Sequence, residues 1–70
     1  MWKGIVKVQM PIMGHNLCLI YSEAKDVMEH MPISKDLRKA MGKEKKKYFN
    51  AHIGKDTMLV LDEEVEEQNF

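Results

Sequence analysis

Cysteine is almost missing from this chain of 70 residues: Cys18 stands alone. No disulfide within the chain can staple the fold, and a lone thiol behind a start that lacks a secretory pattern points to a reducing compartment. Long apolar runs are missing too. Nothing approaches the roughly 18 residues a spanning helix needs, so a soluble, cytoplasmic protein with no membrane partner is expected. The glycines are dispersed at positions 4, 14, 42 and 54, which suits turns and stops and leaves no glycine-rich phosphate loop. There is no G-x-S-x-G and no H-E-x-x-H. Arginine occurs once, at Arg38, so the side chain best suited to bidentate phosphate contacts is scarce. Net charge is zero, with 11 basic and 11 acidic residues, which disfavours a protein built mainly to hold a polyanion.

What the sequence does contain is charge laid out in blocks. Ser34 to Lys47 holds seven basic residues (Lys35, Arg38, Lys39, Lys43, Lys45, Lys46, Lys47) against Asp36 and Glu44. Asp62, Glu63, Glu64, Glu66 and Glu67 oppose them near the other end. The domain is expected over residues 1–61, with 62–70 an acidic and mobile C-terminal tail. A domain this small buries only about 60% of the surface its unfolded chain exposes, so its core is thin.

Hydrophobic periodicity supplies the elements. From Trp2 to Met10, Trp2, Gly4, Val6, Val8 and Met10 alternate with Lys3, Ile5, Lys7 and Gln9, the pattern of a half-buried strand that Pro11 ends. A loop follows at Ile12 to Asn16. Leu17 to Tyr21 is short and apolar, and is expected to be a strand buried on both faces or nearly so. Ser22 to Asp26 is polar, and Val27 to Met31 forms the third strand, although Glu23 to Met31 would also tolerate a helical turn. Pro32 then bars a central strand and the period changes. Ser34 is an N-cap, Asp36 suits the first turn, Leu37, Ala40 and Met41 share a face, and Gly42 is the stop. The helix could instead run on to about Asn50, at a cost of roughly 1 kcal/mol for Gly42 in its interior. Tyr48 to Ile53 and Thr57 to Leu61 read as a hairpin across Gly54, Lys55 and Asp56, whose register depends on whether the loop is even or odd.

The expected fold is α+β and mainly antiparallel β. Five short strands in the order β-β-β-α-β-β, with one short helix near residues 34–41, form a small barrel or an open sheet. Five-stranded barrels of the oligonucleotide-binding type share that element order and SH3-like barrels come near it, a likeness of topology alone.

For chemistry the candidates are few. His15 and Cys18 stand three apart, with His30 and His52 later, but zinc sites show paired, closely spaced ligands, so no metal or other cofactor is expected. A Ser22–Asp26 loop would set Cys18 opposite His30, a thiol beside an imidazole, yet with no orienting group or pocket. The chain is therefore expected to be no enzyme but an interaction module, protein-binding or self-associating as a homodimer. Its partner-binding candidates are Lys35, Arg38, Lys39, Lys43, Lys45, Lys46, Lys47 and Tyr48. The alternative is nucleic-acid binding by the same lysines, with Tyr48 as the free ring that stacks a base and the acidic tail as competitor.

Overall fold

A computed structural model describes residues 2–11, 16–23 and 26–70. Of the two early loops, residues 12–15 and 24–25 lie outside the described residues, His15 among them. The elements are β1 (Lys3–Gln9), β2 (Leu17–Tyr21), β3 (Val27–Pro32), α1 (Lys35–Met41), β4 (Lys46–Ile53) and β5 (Leu59–Val65). All five strands form one antiparallel sheet in the order β3-β2-β1-β4-β5. The mainly β architecture with one short helix is therefore as expected, and of the two forms considered it is the open sheet. Its edges are β3 and β5.

β1 lies in the middle because its two neighbours arrive from opposite directions. β2 pairs with one side of it; α1 then carries the chain back from the β3 edge so that β4 pairs with the other side. The helix is local chemistry. Ser34 has extended backbone and its hydroxyl accepts from the Leu37 N–H at 3.1 Å. Gly42, at φ 57°, donates its N–H to the Arg38 carbonyl at 3.0 Å and stops the helix at Met41, which rules out the longer helix. A positive φ at that position is the reason glycine stands there.

Alternation in the strands puts one apolar face under α1. Val6 pairs with Phe49, Val8 with Ile20 and Gly4 with Ala51, so these residues share a face. Val6, Val8, Cys18, Ile20 and Ala51 are fully buried there, with Leu37 and Met41 of α1 in the same cluster. Burying Met41 contributes about 1.5–3 kcal/mol. Met10, Met28 and Met31 pack around the cluster as filler, whereas Met58 is exposed on the β4–β5 connection.

Three expectations are corrected. β2 is not buried on both faces: Cys18 and Ile20 are, but Leu17 is 47% exposed, because only one face of the sheet has a helix over it. Cys18 is not opposite His30: Tyr21 pairs with Val27, but Cys18 pairs with Met31 and His30 with Leu19. A β-bulge between Ile20 and Tyr21 shifts the register by one residue, which puts thiol and imidazole on opposite faces. Finally, part of the acidic tail is strand. β5 continues to Val65, and a second bulge sets two residues, Asp62 and Glu63, opposite Asn50, with Glu64 back in register against Phe49. The β4–β5 connection, Gly54 to Met58, is odd in length, so Ala51 matches Leu61 and Ile53 matches Leu59. Gly54 N–H to the Met58 carbonyl and Thr57 N–H to the Gly54 carbonyl, both 3.0 Å, close it.

Candidate functional site

The lysine-rich block divides into three parts once folded. α1 turns Leu37 and Met41 inward, which leaves Lys35, Arg38 and Lys39 exposed on its outer side. Lys43, Lys45 and Lys46 are exposed in the connection to β4 and at its first residue. Among the described residues these six cations make no ion pair with a carboxylate.

Lys47 is different. Its Nζ donates to the Ala40 carbonyl at 2.7 Å and lies 3.1 Å from Glu64 Oε1. The Ala40 carbonyl is one of the four that the end of a helix leaves without an intrahelical partner. Two others are filled by backbone donors, Arg38 by Gly42 and Met41 by Glu44 at 2.9 Å. Lys47 therefore ties the helix end to β5, and among the described residues it is the member of the basic block that forms an ion pair with the acidic segment.

Tyr48 is not a free ring. It is 5% exposed, its ring meets Phe70 edge-on at 5.5 Å between centroids, and its hydroxyl donates to the Phe70 main-chain oxygen at 3.1 Å. It points to the face away from α1, in a row set by pairing: Val27, Tyr21, Lys7, Tyr48, Val65. In the middle of that row the Lys7 ammonium lies 4.7 Å from the centre of the Tyr21 ring, a cation–π contact.

Several concave surfaces result among the described residues. Lys7 and Gln9 join Lys43, Glu44, Lys45 and Lys46 around a polar depression of ≈ 470 Å³. Lys7, Gln9 and Tyr21 are the residues that sequence reasoning did not attach to the block. The polar side of β1 was legible, but its pairing with Tyr21 and with Tyr48 is not local. The second surface is a cleft of ≈ 390 Å³ between α1 and β5, walled by Met31, Leu37, Ala40, Phe49, Leu59 and Leu61. The charged residues lining it, Asp36 and Asp62, are both acidic.

The remaining titratable groups are dispersed. Cys18 is buried and its thiol donates to the Met31 carbonyl at 3.4 Å. Burial pushes its pKa up, against the smaller lowering effect of its backbone hydrogen bonds. That is the environment of an inert structural thiol. His52 Nδ1 lies 2.7 Å from Asp62 Oδ2 at the exposed side of the sheet. Among the described residues no three of His, Cys, Asp and Glu converge as metal ligands. None of their helices is long and apolar enough to cross a membrane.

Comparison of the chain with protein-family models, with curated proteins and with solved structures finds no match.

Proposed function

We propose that this chain is a small non-enzymatic interaction module that binds another protein. The observation that carries it is the cleft between α1 and β5. It opens the apolar cluster of Leu37, Phe49, Leu59 and Leu61 to an outside side chain and is flanked by Asp36 and by Asp62, whose carboxylate also pairs with His52. An apolar wall with acidic flanks fits a partner segment that presents one large apolar residue between lysines or arginines. The non-enzymatic part is supported by the chemistry of the best nucleophile, a buried thiol with raised pKa whose paired neighbour across the strands is Met31.

A peptide library that varies apolar and charged residues tests the pairing. Selected binders should carry an apolar anchor flanked by cations and should perturb the amide resonances of Phe49, Leu59 and Leu61. Ala40→Arg, an exposed position that a good helix former can take without harm to α1, should abolish that binding. Binders without cations, or perturbations confined to other strands, would refute the cleft as the docking site. Sedimentation of the free chain distinguishes self-association, which would leave the cleft occupied by a second copy.

A further inference from the structure

We infer that the sheet face opposite α1 holds a binding site for single-stranded nucleic acid, and that the chain's own segment 66–70 lies in this site as an internal substitute for the ligand. It concerns the other side of the sheet from the apolar cleft and does not depend on it.

Single-strand sites combine cations that track the phosphates with aromatic rings on which bases stack. Pairing brings both together here. Tyr21 and Tyr48 flank Lys7 in one row of the sheet, and Gln9 and Lys46 are paired in the next. With strands about 4.8 Å apart, the two tyrosines stand roughly 10 Å from each other across Lys7. Lys43, Lys45 and Lys46, all exposed, continue the surface as the basic depression that also takes in Lys7.

What lies on this surface in the folded chain has the same two chemical parts as a nucleotide. Phe70 puts an aromatic ring against Tyr48. Glu67 shares a second depression, ≈ 300 Å³, with Lys46 and Tyr48. Residues 66–70 follow the end of β5 and belong to no strand. They reach Tyr48 through the ring contact and the hydroxyl bond to Phe70. A ligand that supplies a base and a phosphate can therefore take their place without breaking the sheet. Segment 66–70 supplies two of the chain's 11 acidic residues, Glu66 and Glu67, to this otherwise lysine-rich surface.

The test uses an oligothymidylate of about 15 nucleotides, its binding followed by fluorescence anisotropy at low salt. The intact chain, a chain ending at Val65 and the Phe70→Ala variant are compared, with circular dichroism to check the fold. Removing residues 66–70 should tighten binding by roughly tenfold, since the site no longer has to be vacated. Phe70→Ala should shift affinity in the same direction, and it carries the comparison if the shortened chain unfolds. Affinity should fall steeply with salt, and Lys46→Glu should weaken it and lower the salt slope by about 1. Equal affinity of intact and uncovered chains, or binding indifferent to salt, would overturn the proposal. So would a synthetic 62–70 peptide that binds the shortened chain while the oligonucleotide does not, which would assign the surface to acidic peptides.

Discussion

Lys47 should behave unlike every other lysine of its block, and the difference can be given a size. Its ammonium bonds the Ala40 carbonyl at 2.7 Å and approaches Glu64 at 3.1 Å, and its side chain is 22% exposed. Glu64 is 52% exposed, so solvent screens the ion pair and leaves it about 0–1 kcal/mol. A cation bonded to the last carbonyls of a helix adds about 0.3–1 kcal/mol. Lys47→Met keeps most of the aliphatic stem and removes only the charge and its donors, so about 1 kcal/mol, the middle of the summed range, should be lost. Against the roughly 4–10 kcal/mol of total stability typical of this length, that is a large fraction. It should appear as a fall in melting temperature of about 4–8 °C per kcal/mol, read by circular dichroism. Lys45→Met, at an exposed position with no ion pair, is the control and should change stability by less than about 0.5 kcal/mol. A double-mutant cycle with Glu64→Gln separates the pair from the carbonyl bond, and only the pair should fade in high salt. If Lys47→Met and Lys45→Met cost the same, the tie between α1 and β5 does not exist.

Ser34→Ala removes the acceptor for the Leu37 N–H and should cost about 1 kcal/mol, with Ser34→Asp restoring it; urea unfolding measures both. If alanine there is neutral, the cap has no energetic role. Cys18 should resist alkylation in the folded chain and react when urea unfolds it; labelling of the native protein at the rate of a free thiol would contradict its burial. The same group gives a pH dependence. Its folded pKa is raised, so its contribution to stability is whole below the ordinary thiol value of about 8.5 and is lost as pH rises through the raised one. Urea midpoints should therefore decline over that alkaline range in the natural chain and less so in Cys18→Ala.

Much of the fold is written in short stretches. Alternation in Trp2 to Met10 and in Tyr48 to Ile53, the Ser34 cap and the Gly42 stop each act over a few residues, and β1, α1 and β4 formed there, whereas the last strand, expected over Thr57 to Leu61, starts at Leu59 and runs to Val65. Phe49, Ala51 and Ile53 were legible as one apolar face for the same reason. The acidic stretch after Leu61 was less legible. Charged residues carry no apolar period, yet backbone pairing with β4 takes Asp62 to Val65 into the sheet.

Tertiary structure alone decided the candidate sites, because each joins residues far apart in the chain. A one-residue bulge between Ile20 and Tyr21 separated Cys18 from His30, and strand period 2 turned that small shift into opposite faces. Pairing of β1 with both β2 and β4 set Lys7 between Tyr21 and Tyr48, and Phe70 then covered the ring that local sequence left free. The chain's local chemistry determined its elements and where its charge lies. Which cations remain open, which one ties the helix to β5, and what covers Tyr48 depended on contacts across the sheet, which no local period encodes.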